Sequence, residues 1–395
     1  MTRPAQDPIA RYRGRHAVTG PWRIHPEPGR TFAQAVVIPA LAERENLPAV
    51  LDSLAAQDAA ESARTLVLVV VNQRDDHGPE IAQDNADSLR FLHEMAAKHP
   101  CTVGIIDAAS PGSRLPPKQG VGLARRIGMD AALAHLELDG PVPPLMCSLD
   151  ADSPVAPRYL TALREAFGGE RQMAAVIGFE HPKDGPNASA IIEYEAFLHN
   201  FVQGLRWAGS PYAFHTIGSA FVCTAEAYAL ADGMPQRQAG EDFYFLQKLA
   251  KAVPVKSIEE VLVYPAARTS WRVPFGTGAR ITQRIEPGAK PIRAYAPSSY
   301  RVLRDWLHAM TEHPQAAAEE QMQRAAALDP ALPGFLDQIR FASTWTRWQQ
   351  APLPPERAGA RIHTWFDGFK TLKLLHHLRD HGHPMVSLNE WRLEE

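Results

Sequence analysis

Four apolar runs constrain this chain most: Ala35-Val-Val-Ile38, Thr65-Leu-Val-Leu-Val-Val-Val71, Val103-Gly-Ile-Ile-Asp107 and Leu145-Met-Cys-Ser-Leu149. Stretches with apolar residues at helical spacing separate them, at residues 45–54, 78–99 and 120–137. Strands that are apolar on both faces and alternate with helices predict an α/β fold, a mostly parallel sheet with helices on both faces. Ligands in such sheets bind at the carboxyl ends of strands. The fourth run ends there in Asp150-Ala-Asp152. In extended chain, residues i and i+2 point to one face, so both carboxylates can address one cation or ligand group. Mg2+ or Mn2+ suits such oxygen ligands, and the ion would neutralise phosphate oxygens that bare carboxylates repel. The alternative is a plain turn, with Asp152 capping a helix that starts near Pro154 or Pro157.

The 395 residues exceed one average core and imply two or three packed units. A net charge of -3 gives no global field for nucleic acid or anionic membrane. Cys101, Cys147 and Cys223 are far apart, as expected of reduced thiols, and no Cys/His cluster argues for zinc. The start has no secretory pattern, and the longest apolar run is far below the ~20 residues a membrane helix needs. These features predict a soluble cytoplasmic protein without a transmembrane segment, with peripheral membrane contact still open.

Residues 1–33 are rich in Arg, Pro and Gly and predict an extended arm. Past residue 155 the spacing predicts a helix over 158–167, a strand over 174–179, a long helix over 188–208, a Gly-rich strand over 215–222, a helix over 241–252 and a strand over 261–264. Beyond about 285 no strand is expected. Residues 298–381 read as mostly helical, with Trp306, Trp345, Trp348 and Trp365 as packing anchors and His376, His377, His381 and His383 at solvated helix ends.

The order of motifs is more specific than any one of them. Val37-Ile-Pro39-Ala-Leu-Ala-Glu43-Arg-Glu45-Asn-Leu47, Lys118-Gln-Gly120-Val-Gly122-Leu-Ala124-Arg125-Arg126-Ile-Gly128, Asp150-Ala-Asp152 and Gly240-Glu241-Asp242 follow one another along the chain. This ordered set resembles the family 2 glycosyltransferases of the GT-A fold, over about residues 34–283. The resemblance implies a GT-A domain over 34–284, with a nucleotide-sugar half at about 34–155 and an acceptor half at about 156–284, then a helical C-terminal region over 285–395. It implies a nucleoside-diphosphate sugar donor, a hydroxyl acceptor, inversion at the anomeric carbon, and Mg2+ or Mn2+. Asp152 would bind the metal directly and Asp150 the metal or the ribose. Asp242 would be the catalytic base, with Glu241 beside it. Pro39, Ala40, Glu43, Asn72, Lys118, Arg125, Asp150, Arg268 and Arg272 would contact the nucleotide.

The sequence also departs from the family pattern. Ala42 stands where the family has Asn, and the second strand runs into Asn72-Gln-Arg-Asp75-Asp76 in place of an immediate Asp-Asp. The usual acceptor motif is replaced by Arg268-Thr-Ser-Trp271-Arg272 and a glycine-flanked turn, Gly276-Thr-Gly278, that could close as a flap. Arg126 is expected to face solvent, and His181 and His215 are candidates for a third metal ligand. A position at a helix start favours an ionised carboxylate and should make Asp242 less basic. A retaining transferase, a sugar-phosphate nucleotidyltransferase and a non-catalytic nucleotide-sugar-binding protein are the alternatives.

Overall fold

A computed structural model describes residues 7–140, 142–169, 172–269 and 276–393. The chain divides into two compact units, Met1–Gly185 with Thr216–Ala279, and Pro186–His215 with Arg280–Glu395.

The first unit is built on one sheet. Its strands are β1 (Ile24–His25), β2 (Gln34–Ala40), β3 (Thr65–Asn72), β4 (Thr102–Ala108), β5 (Leu145–Ser148), β6 (Ala174–Phe179), β7 (Phe221–Thr224) and β8 (Val255–Val263), in the spatial order β1-β4-β3-β2-β5-β7-β6-β8. β4, β3, β2 and β5 run parallel, and β6 pairs parallel with β8; β1 and β7 are antiparallel to their neighbours. The fold is thus α/β with a mostly parallel sheet, as the apolar runs predict. β2, β3 and β5 are buried along their whole length, which is why their sequences lack polar alternation.

The helices of this unit are α1 (Pro8–Arg15), α2 (Leu47–Ala55), α3 (Ala59–Ala63), α4 (Pro79–Ala96), α5 (Val121–Ala132) and α6 (Tyr159–Phe167), with two later ones at Ala225–Leu230 and Glu241–Ala252. Several stretches differ from expectation, among them β8, which begins at Val255 and not at 261. Within the stretch expected to be an extended arm, Pro8–Arg15 is a helix: the Asp7 carboxylate accepts from the amides of Ile9 at 3.0 Å and Ala10 at 3.3 Å, and Pro8 occupies the first turn. Such a cap contributes about 1 kcal/mol. The strand expected over 215–222 starts only at Phe221 and runs on to Thr224 as β7. Upstream of it the Gly218 carbonyl accepts from the Ser148 hydroxyl at 2.7 Å and from Arg125 at 3.1 Å, so side chains take a bond that a ladder would need.

The second unit is helical: α7 (Ala188–Trp207), then, after the two helices of the first unit already given (α8, Ala225–Leu230, and α9, Glu241–Ala252), α10 (Thr277–Ile285) from Arg280 on, α11 (Pro297–Glu312), α12 (Ala318–Leu328), α13 (Leu332–Gln338), α14 (Phe341–Gln350), α15 (Pro355–Trp365) and α16 (Gly368–Asp380). Trp306 and Trp345 are fully buried in its core, and Trp348 and Trp365 pack partly buried against it. α7 approaches α11 closely because Gly204 has no side chain; a Cβ there would lie 2.4 Å from the Tyr300 ring. Two short strands not expected from the sequence, β9 (Arg293–Ala294) and β10 (Val386–Ser387), pair antiparallel. His383 is not at a solvated helix end: its ring bonds Ser298 Oγ and Asp329 Oδ2, each at 2.8 Å, and ties the C-terminal segment to α11 and the α12–α13 turn. No helix among the described residues is long and apolar enough to cross a membrane.

His215 closes the first segment of this unit, its ring 5.1 Å from that of His199. Burial, then the nearby His199 and Arg206, lower its pKa from 6.5 to about 4. The folded state therefore refuses a proton that the unfolded chain accepts below pH 6.5. The stabilisation is complete above pH 6.5 and is lost as pH falls toward 4, about 3 kcal/mol in all. Denaturant unfolding across that window should show a shallower acid limb in His215→Gln than in the parent.

Candidate functional site

β2 is flanked by β3 on one side and β5 on the other, and the chain runs outward through β3 and β4 before returning to β5. The carboxyl ends of β2 and β5 are therefore a topological switch point, where an open α/β sheet leaves a crevice. Glu43 follows β2 there, and Asp150 and Asp152 follow β5.

Arg125 is the hub of the site. It lies on α5, is 3% exposed, and forms ion pairs with Asp150 and, at 3.3 Å, with Glu241. One Nη donates to Ser148 Oγ at 2.9 Å and to the Gly218 carbonyl. A side chain at 218 could not coexist with it, since a Cβ would lie 2.5 Å from the guanidinium. Two acidic motifs that are 91 residues apart in number, Asp150 and Glu241, thus share one buried cation. Asp242 follows Glu241 in the first turn of α9, half-buried, with Oδ1 accepting from the Phe243 amide at 2.7 Å.

A second arginine joins the other acids. Arg268 donates from Nε to Asp152 Oδ2 at 2.6 Å and from Nη2 to Glu43 Oε1. Its place is fixed by the backbone: the amides of Tyr264 and Ala266 donate to the carbonyls of Pro154 at 2.9 Å and Asp152 at 3.1 Å. The segment after β8 is thereby laid along the Asp150–Pro154 turn.

Crowding these acids raises their proton affinity. Burial, opposed by Arg125 and assisted by neighbouring carboxylates, moves Asp150 up to about 6, although 35% of its side chain remains solvent-accessible. Burial likewise moves Glu241 up to about 8 against the pull of Arg125. Asp242 is also raised, by burial, with Arg125 and the first-turn amides opposing. A place at a helix start alone would give Asp242 the opposite shift. Desolvation outweighs the first-turn amides here.

The remaining candidates are distributed as follows. Pro39 and Ala40 are buried at the end of β2. Asn72 ends β3, 4% exposed, its amide donating to the carbonyls of Ala40 at 3.0 Å and Val70 at 3.3 Å. Lys118 is exposed in the loop before α5, with φ of 63°. Arg272 lies outside the described residues. Asp75 and Asp76 are exposed and pair with Arg114 and Arg74. Arg126 does not face solvent: only 12% exposed, it bonds the carbonyls of Met234 and His16. His181 is buried, edge-on to Phe179. The glycines 276 and 278 flank the start of α10.

Sequence reasoning missed Ser148, Gly218 and Asn85. Asn85 lies on α4 and bonds the Ala42 amide at 2.9 Å and the Asn72 carbonyl at 3.2 Å, so it braces the loop after β2. A polar residue on the buried side of a helix was the available signal.

Asp150 and Asp152 offer hard oxygen ligands. Among the described residues no three of His, Cys, Asp and Glu gather into a metal cage. The pair fits a cation such as Mg2+ or Mn2+ that brings phosphate and water oxygens as its other ligands, and does not fit one held by protein alone.

No protein-family model matches the chain, and no curated protein matches it in sequence. Among solved structures it is similar to S. aureus TarS 1–349 in complex with UDP-GlcNAc, with TM-score 0.43 and 12% identity over 82% of this chain and 78% of that one. It is also similar to the mannosyltransferase PcManGT from Pyrobaculum calidifontis in complex with GDP-Man and Mn2+, with TM-score 0.39 and 15% identity over 94% and 93%. A third is glucosyl-3-phosphoglycerate synthase from Mycobacterium tuberculosis with Mn2+, UDP and glucosyl-3-phosphoglycerate, with TM-score 0.35 and 15% identity over 72% and 84%. At these identities and scores the likeness concerns chain architecture alone.

Proposed function

We propose that this protein is a glycosyltransferase that moves a sugar from a nucleoside-diphosphate sugar to a hydroxyl acceptor, with inversion at the anomeric carbon. One observation carries the reading: Asp150 and Glu241, neighbours of Asp152 and Asp242, are clamped by the single buried guanidinium of Arg125 at the switch point of the sheet.

The donor diphosphate lies against Asp150, Asp152 and Arg268. A divalent cation held by the two aspartates would supply positive charge to the leaving diphosphate. Arg268 adds a second cation, exchanging a carboxylate partner for a phosphate oxygen with which it can pair bidentately. Asp242 takes the proton of the acceptor hydroxyl as that oxygen bonds to the anomeric carbon and the bond to the diphosphate breaks. Its raised pKa suits this task, because a base works best when its pKa approaches the working pH. Glu241, 4% exposed and engaged by Arg125, positions the turn.

A thermal-shift screen of nucleotide sugars with and without manganese tests the donor assignment. At a hundredfold excess over its dissociation constant, the true donor adds about 2.7 kcal/mol to stability. The expected result is a clear rise in Tm for one base and sugar, larger with manganese. A flat response across uridine, guanosine, adenosine and thymidine donors would end the proposal.

A further inference from the structure

The turn that presents Glu241 and Asp242 is held from two sides, and one of them is the N-terminal helix. α1 inserts Tyr12, 1% exposed, whose hydroxyl donates to Asp130 Oδ1 at 2.7 Å. Tyr228 donates to the same oxygen at 2.7 Å, and the Val18 amide donates to Oδ2 at 2.7 Å. Asp130 lies on α5, one turn from Arg126, whose Nε is 3.6 Å from Oδ2. Arg126 in turn joins the strap to the loop, bonding the His16 carbonyl on one side and the Met234 carbonyl on the other at 3.0 Å.

The loop is shaped to receive this contact. Gly233 has φ of 70°, and a Cβ there would lie 2.0 Å from the Tyr12 hydroxyl. Farther along, the Gly122 amide donates to the Arg237 carbonyl at 3.2 Å, and a Cβ on Gly122 would lie 2.5 Å from the Pro235 carbonyl. Arg237 lies over the Tyr244 ring at 3.7 Å, carrying the loop onto α9. The adjacent arginines of α5 therefore divide the work: Arg125 grips Asp150 and Glu241, and Arg126 grips the strap and the loop that leads to Gly240.

We propose that α1 is a positioning strap for the Gly240–Asp242 turn, and that Tyr12, Asp130 and Arg126 are positioning residues for transfer, with no contact to substrate. The inference rests on the assignment of Asp242 as the base. Asp150 and Asp152 lie in the turn after β5, which the strap does not touch through these bonds. Loosening the strap should then misplace the base while the donor still binds.

The test compares Asp130→Asn, Arg126→Met and Tyr12→Phe with the parent, and with Val103→Ala as a control for stability lost elsewhere in the sheet. Turnover and hydrogen exchange are measured together. The expected result for Asp130→Asn is a fall in kcat of about ten- to a hundredfold, since small displacements of reacting groups cost on that order. Donor KM stays within about twofold of the parent's by the same argument, because the donor-binding acids are not displaced. Exchange should rise over residues 232–242 and not over 148–155. Tyr12→Phe should show a smaller fall, because Tyr228 still bonds Asp130, and Val103→Ala should keep its kcat. Unchanged kcat in Asp130→Asn, equal losses in kcat and donor affinity, or faster exchange confined to residues 8–18 would each overturn the strap. Absence of turnover in the parent would instead sink the transferase reading, and the exchange pattern would still decide whether strap and turn are coupled.

Discussion

Asp242→Asn should lower transfer about a thousandfold and leave donor binding close to the parent's, the expected loss when a positioned general base is removed. The amide keeps the shape of the carboxylate, and its oxygen can still accept from the Phe243 amide that Asp242 engages at 2.7 Å. Only proton acceptance is lost. Because the side chain is half-buried and not gripped by the Arg125 guanidinium in the way Glu241 is, the variant should fold normally. Initial rates at saturating donor and acceptor, with Tm measured alongside, provide the check. Retention of more than a tenth of parental kcat would remove Asp242 from the role.

Arg125→Met is expected to act on stability first. Arg125 is 3% exposed and pairs with Asp150 and Glu241, the latter 4% exposed. Removing one member of a buried ion cluster leaves the others as uncompensated charges, at a cost of about 3–5 kcal/mol. The loss should fall unequally on the two acids. Asp150 keeps access to water, whereas the buried Glu241, whose proton affinity burial already raises, is left with neither cation nor solvent. Arg125→Met/Glu241→Gln should therefore recover part of the stability without recovering turnover. Equilibrium unfolding of the two variants decides it: if the single variant is as stable as the parent, Arg125 is not the hub described here.

The strands of the parallel sheet were legible because their burial on both faces left a sequence mark, continuous apolar runs such as Thr65–Val71. The helix at Pro8–Arg15 was marked too, by Asp7-Pro8, yet the arginines and prolines around it hide the two buried residues, Ile9 and Tyr12, that hold it down. Sequence singled out Arg125 for the site and left Arg126 to solvent, and the second assignment fails because Arg126 is 12% exposed. Neighbours on a helix point about 100° apart, and only the packing of α5 shows that one meets the acids and the other the strap. The direction of the Asp242 shift was unreadable for a similar reason: a helix start is visible in sequence, but the desolvation that opposes it comes from segments distant in the chain. The strand expected from residue 215 starts only at Phe221 because Gly218 gives its carbonyl to side chains from α5 and β5.

The most direct measurement is a donor-bound crystal structure, obtained with manganese and the nucleotide sugar that stabilises the protein most. The diphosphate is expected against Asp150, Asp152 and Arg268, with the anomeric carbon exposed on the side facing Asp242. A donor bound away from the carboxyl ends of β2 and β5, or one whose diphosphate stands between the sugar and Asp242, would contradict it.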